Sequence, residues 1–179
     1  IQLDPGERIQ AVIPISDYSD DLYLVMATLS GTVKKTVLSE YDSPRSGGLI
    51  CISLKEDDEL VSVKLTDGSQ ELIMVTKEGQ AIRFPEDQVR AMGRAAHGVK
   101  GITLDDDDQV IAMDVVTPGG ELLTVSETGY GKRTSLEEYR ITNRGGKGVK
   151  TMNQTQKTGK LVGARVVQDH HDIMLISLQ

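Results

Sequence analysis

Cysteine occurs once, as Cys51, and aromatic residues make up only 3% of the 179-residue chain, with Phe84, five tyrosines and no tryptophan. A lone cysteine inside the apolar run Leu49–Leu54 excludes a disulfide framework and a paired-cysteine zinc site. Nothing points to an oxidising compartment, so the cytoplasm is the expected location. No apolar stretch approaches the roughly 18 residues needed to span a bilayer, and Ile1-Gln2-Leu3-Asp4-Pro5 lacks the basic and apolar regions of a signal peptide, so no membrane partner is expected. The chain does not open on methionine and is expected to be a segment of a longer one. Phosphate-binding glycine motifs are missing too, neither Gly-x₄-Gly-Lys-[Ser/Thr] nor Gly-x-Gly-x-x-Gly being present, so no nucleotide and no other cofactor is expected. No nucleophile–base–acid set can be assembled, and no active site is expected in this chain.

Charge is unbalanced toward acid, with 27 Asp and Glu against 20 Lys and Arg for a net −7, which taken whole argues against a nucleic-acid partner. The distribution reverses that argument locally. Tyr130–Lys150 holds Lys132, Arg133, Arg140, Arg144, Lys147 and Lys150 against Glu137 and Glu138, a net of +4, while acids gather in Glu56–Glu59 and Asp105–Asp108. Such segregation suits a molecule with one basic face.

The 18 glycines mark out a repeat of about 50 residues. A turn followed by an apolar run begins at Ile9, Leu60, Val110 and Leu161, and a second apolar run closes on a hydroxyl residue at Thr28, Thr76, Ser126 and Ser177. A Gly-x-x-x-basic element recurs as Gly31–Lys35, Gly79–Arg83 and Gly129–Arg133, and a glycine-rich loop enters another strand at Gly48, Gly98 and Gly148. Each unit reads as four short strands: in the second, Leu60–Leu65, Leu72–Val75, Ala81–Phe84 and Gly98–Leu104, with at most a helical turn at Pro85–Arg90 and its counterpart Ser135–Tyr139. The expected fold is all-β, a propeller-like array of four-stranded antiparallel blades, with repeats at about 7–56, 57–107, 108–158 and a partial 159–179. About three and a half units fall short of closure, so the open ends are expected to self-associate or to be covered by more chain.

Thr124-Val-Ser-Glu-Thr-Gly-Tyr-Gly-Lys-Arg-Thr134, then Glu138-Tyr139-Arg140 and Asn143-Arg-Gly-Gly-Lys-Gly-Val-Lys-Thr151, with Gly93–Ile102 before them, resemble the C-terminal domain of DNA gyrase A. The resemblance covers the whole chain. It implies a β-pinwheel, a six-bladed propeller variant whose neighbouring blades exchange strands and whose basic rim wraps duplex DNA. It further implies service to an ATP-dependent type II topoisomerase, in support of negative supercoiling, with the rest of gyrase A and with gyrase B as partners. That family's Gln-Arg-Arg-Gly-Gly-Lys-Gly box is matched at five of seven positions by Thr142–Gly148, as in a degenerate copy within a later blade. The alternatives are the related domain in the gyrase A counterpart of topoisomerase IV and a propeller acting as a protein-interaction platform.

Candidate phosphate contacts are Lys35, Arg45, Arg83, Arg94, Lys100, Lys132, Arg133, Arg140, Arg144, Lys147 and Lys150, where glycines are expected to let backbone amides approach an anion and cations supply charge. Repeating cations on a radial array suit a bent duplex held by its backbone, with no base readout. Tyr139, in the register of Val89, is expected to pack rather than to act as a nucleophile. His170-His171-Asp172 falls in a hairpin turn and is not taken as a metal site, and the acidic turns are expected to be solvated loops.

Overall fold

The computed structural model describes residues 3–43 and 47–176. Among these, the strands are β1 (Tyr23–Thr28), β2 (Thr32–Val37), β3 (Leu60–Thr66), β4 (Glu71–Thr76), β5 (Gln80–Pro85), β6 (Val99–Lys100), β7 (Val110–Val115), β8 (Glu121–Ser126), β9 (Gly131–Ser135), β10 (Val149–Lys150) and β11 (Leu161–Val167). Three hairpins, β1–β2, β4–β5 and β8–β9, are built alike. Gly31, Gly79 and Gly129 hold φ of 84°, 82° and 85°, which only glycine adopts without strain. The hydroxyls of Thr28, Thr76 and Ser126 accept the amides of Thr32, Gln80 and Tyr130 at 3.3, 3.1 and 3.2 Å, which is why every such run closes on a hydroxyl residue.

The repeat units do not coincide with the sheets. The strand orders are β3-β1-β2-β6, β7-β4-β5-β10 and β11-β8-β9. Each sheet therefore takes its hairpin from one unit and its flanking strands from the next. The first strands of the units, β3, β7 and β11, touch one another and form the inner side of the array. The outer side is a long strap from the following unit. Along β2, Met92 N–H donates to Lys35 O and Gly101 N–H to Gly31 O, and Thr142 and Thr151 repeat both bonds on Arg83 and Gly79 along β5, all at 2.8–2.9 Å.

Stacked sheets bury a shared core. Val25, Ala27 and Val33 of the first sheet meet Leu72, Met74, Ile82 and Phe84 of the second. The opposite face of the second sheet, Ile73, Val75 and Ala81, meets Leu122, Leu136, Tyr139, Leu161 and Val166. Strand β4 is thus buried on both faces, which explains its unbroken Leu72-Ile73-Met74-Val75 run, each side chain contributing about 1.5–3 kcal/mol by burial. One-turn 3-10 helices at Leu38–Tyr41, Glu86–Gln88 and Leu136–Glu138 then carry the chain out to the straps.

Three expectations need correction. The Ile9 run forms no strand; in later units that segment pairs with the hairpin of the preceding unit, and no such hairpin is among the described residues. The fourth strand shrinks from Gly98–Leu104 to Val99–Lys100 in the second unit and to Val149–Lys150 in the third, each with two register partners, and the run after Gly48 in the first unit forms no strand. The second run of the fourth unit, Ile173–Ile176, is exposed and unpaired, and its closing Ser177 lies outside the described residues.

Close approach of strap to sheet gives a direct test. A Cβ at Gly148 (φ 75°) would land on the Ala81 carbonyl, whereas one at Gly129 (φ 85°) meets nothing within 4 Å. Gly129→Ala should cost about 1 kcal/mol of unfolding free energy from backbone strain alone, and Gly148→Ala on the order of 4 kcal/mol. Equal losses in denaturant titrations would refute the docked strap.

Candidate nucleic-acid interface

With β3, β7 and β11 innermost, the straps are the perimeter, and the strap residues at repeating positions are Arg90 and Arg140, Arg94 and Arg144, Lys100 and Lys150. Arg90, Lys100, Arg140, Lys147 and Lys150 are exposed, and Arg94 and Arg144 half-buried. No acceptor among the described residues holds the side chains of Arg90, Arg94, Lys100 or Arg140. Lys147 pairs with Asp105 across exposed surface, Lys150 Nζ donates to Glu78 O at 2.6 Å, and Lys132 Nζ, at the outer edge of β9, to Thr151 O at 3.3 Å. Exposed contacts of this kind are worth about 1 kcal/mol or less and yield readily to a phosphate. Arg90 was missed by the sequence reading, although it occupies the register place of Arg140.

Lys35, Arg83 and Arg133 do not belong to this rim. Lys35 is 6% exposed; its ammonium donates to Glu86 O at 3.0 Å and lies 5.0 Å from the Tyr23 ring centroid. Arg83 donates from Nε to Glu71 at 2.6 Å and from its terminal nitrogen to Leu136 O at 2.7 Å. Glu86 and Leu136 are equivalent positions, so both cations tie an outer strand to the 3-10 turn of the next unit. Arg133 pairs instead with Glu121 and with Asp169 at 2.6 Å. The alternation of the strand aims this position into the seam between units, and the carbonyls there consume the charge. Arg45 lies outside the described residues.

Two unexpected charges are interior. Glu86 is fully buried where the other units have Leu38 and Leu136, and its carboxylate accepts the Thr66 hydroxyl at 2.7 Å and the Gln70 amide at 2.8 Å. Lys34, also fully buried, donates to the carbonyls of Cys51 and Arg94, and burial pulls its ammonium down to about 8. In the expected anion cradle at Asn143–Lys150, Arg144 and the Gly145 amide are engaged within the protein. Gly145 N–H donates to Gly101 O at 2.6 Å, and Arg144 donates from Nε to Gln88 O and from its terminal nitrogen to Lys100 O, both at 2.9 Å.

The acidic turns are largely exposed, as expected, but one carboxylate in each acts as a clasp. Asp58 accepts the Ser30 amide at 2.9 Å and the Ser30 hydroxyl at 2.6 Å, and Asp108 accepts the Glu78 amide at 2.9 Å, each gripping the hairpin turn of the preceding unit. At the third junction the carboxylate is replaced by Thr158, and the Thr128 hydroxyl instead reaches the carbonyls of Lys157 and Thr158. His170 and His171 sit in a turn closed by His171 N–H on Gln168 O, and Tyr139 is buried with its hydroxyl on Thr151.

The family described as DNA gyrase C-terminal domain, beta-propeller, matches residues 22–67, 70–117 and 120–168, one match for each hairpin and the inner strand that completes it. The chain belongs to this family. DNA gyrase A of Halalkalibacterium halodurans is 62% identical and that of Clostridium acetobutylicum 54%, each over 99% of this chain and 21% of the relative. The chain thus spans about a fifth of the length of those proteins. Among solved structures, the C-terminal domain of DNA topoisomerase IV superposes with a TM-score of 0.88 at 34% identity, over 93% of this chain and 53% of that one. The DNA gyrase A C-terminal domain gives 0.84 at 29% identity, over 94% and 57%.

The Asp58 clasp makes stability depend on pH. Burial works to raise its carboxyl, but hydrogen bonds from the Ser30 hydroxyl and amide and from the Glu59 amide outweigh burial and hold it below the usual value. A depressed carboxyl contributes stability that is present above the unfolded value near 3.9 and is lost as pH falls through the folded one. Asp58→Asn should therefore lower unfolding free energy at neutral pH by about 1 kcal/mol, discounted for partial exposure, with the deficit closing in acid. A deficit that stays constant down to strong acid would exclude the clasp.

Proposed function

We propose that this chain wraps duplex DNA along its straps, without base specificity, as an accessory module of DNA gyrase A that supports negative supercoiling. The observation that carries the reading is the recurrence of uncompensated cations on the outermost segments of the array, Arg90 and Lys100 on one strap and Arg140 on the next. The proposed contacts are these three with Arg94, Lys132, Lys147 and Lys150. Lys35, Arg83 and Arg133 are assigned to the seams and edges of the sheets. The net −7 of the whole chain does not preclude this, because the charge is unevenly distributed and Asp58 and Asp108 are engaged in the clasps.

Identities of 54% and 62% over 99% of the chain to gyrase A proteins support the gyrase A assignment. The rest of gyrase A, together with gyrase B, supplies the proposed protein partners, in the cytoplasm. The outer edge of β9, which no strand covers among the described residues, is the proposed point of self-association or of further blades. The interaction-platform reading has no comparable observation behind it.

Each phosphate contact steepens the salt dependence of duplex binding by about 0.9 in log–log slope. The triple variant Arg90→Ala, Lys100→Ala and Arg140→Ala should flatten the slope by about 3 and weaken all sequences alike. A folded triple variant with the parent's slope would remove the rim from consideration. Open-edge pairing should make the sedimentation coefficient rise with protein concentration, and a single unchanging monomer would end that part of the proposal.

A further inference from the structure

The junction between the two straps is built in a way that neither core packing nor phosphate binding requires. Arg144 spans the whole second strap: its Nε meets Gln88 O near one end and its terminal nitrogen meets Lys100 O at the other, both at 2.9 Å. Gln88 completes the joint, its Oε1 accepting the Arg144 amide at 2.8 Å and its Nε2 donating to Asn143 Oδ1 at 3.2 Å. Thr103 adds two bonds, its amide to Gly146 O at 2.9 Å and its hydroxyl to Gly145 O at 2.6 Å.

Part of this joint, without the guanidinium span, recurs one unit earlier, where no acceptor among the described residues holds the Arg94 side chain. Glu40, in the register of Gln88, accepts the Arg94 amide at 3.1 Å. Ser53, in the register of Thr103, donates its amide to Ala96 O at 3.2 Å and its hydroxyl to Ala95 O at 2.7 Å. The bonds made by the strap backbone thus recur at equivalent positions, and at the later junction the Arg144 guanidinium adds a span of its own.

We propose that Arg144 and Gln88 are positioning residues that fix the step from one strap to the next, and through it the curvature of the DNA path, rather than contacts to DNA. Lys100 supplies both the carbonyl that Arg144 holds and an uncompensated ammonium at the rim, so the joint sets where that charge stands. The planar guanidinium fork reaches both carbonyls at once, which a lysine ammonium cannot reproduce. The consequence for DNA rests on the wrapping proposed above; the joint itself does not.

Three variants separate the roles: Gln88→Ala, which alters no charge, Arg144→Lys, which keeps the charge, and Arg144→Ala. Without DNA, hydrogen exchange at the Gly145 and Thr103 amides should quicken by about tenfold in all three, while the core strands stay protected. With DNA, end-to-end fluorescence transfer on a long duplex should report at least half of the compaction lost in all three. The salt slope on a short duplex should stay at the parent's value in each variant. If Arg144→Lys compacts DNA like the parent while Arg144→Ala flattens the slope by about 1, Arg144 is a phosphate contact and the proposal falls. If the parent itself does not compact DNA, the wrapping reading fails, and the exchange arm decides the joint: unchanged protection in Gln88→Ala and Arg144→Lys overturns it.

Discussion

A β-strand at the edge of a sheet carries amides and carbonyls that need partners, and here β2 and β5 find theirs only in the repeat that follows. Gly101 and Thr151 donate to the glycines of the hairpin turns, Met92 and Thr142 to the far ends of the same strands. That requirement pulls each strap out to the perimeter, and the perimeter position is what exposes Arg90, Lys100 and Arg140. Edge coverage and the charged rim are therefore one feature, because the backbone of the strap satisfies the sheet while its side chains face outward.

Cations divide by the geometry of the element that carries them. On the regular strands β2 and β5 the basic position is aimed into a seam, where carbonyls of the next unit's 3-10 turn and the carboxylates of Glu71 and Glu86 absorb it. On the straps, where the backbone is irregular, the same residue types reach water. Buried charge is tolerated at Lys34 and Glu86 because each has hydrogen-bonding partners from more than one segment.

Much of the fold was legible in the sequence because its markers have local causes. A hydroxyl four residues before a hairpin amide and a glycine at positive φ leave a signature wherever they recur. Strand sharing left none: nothing in Val99–Lys100 says that it pairs with Thr32–Val33 of the preceding unit, since that pairing is settled by how units stack. At the rim, register places Lys100 and Lys150 at matching exposed positions. Register alone failed for Lys35 and Arg83, whose spacing gave no indication of which side of the strand faced a neighbour. The glycine loop misled for a related reason. Its composition reads as an anion cradle, but the Gly145 amide and the Arg144 guanidinium are engaged by carbonyls of a strap about 45 residues away.

Strand sharing runs in one direction only. The first hairpin, complete at Val37, waits for Leu60–Thr66 to cover one edge and for Val99–Lys100 to close the other, and the second waits likewise for β7 and β10. A chain emerging from its N-terminus therefore always carries one unfinished sheet behind the point of synthesis, with the most recent hairpin half-paired until a further unit has been made. The array grows as a polar filament would, each addition finishing its predecessor and leaving itself open, so that cutting it between any two units breaks a sheet on the N-terminal side of the cut.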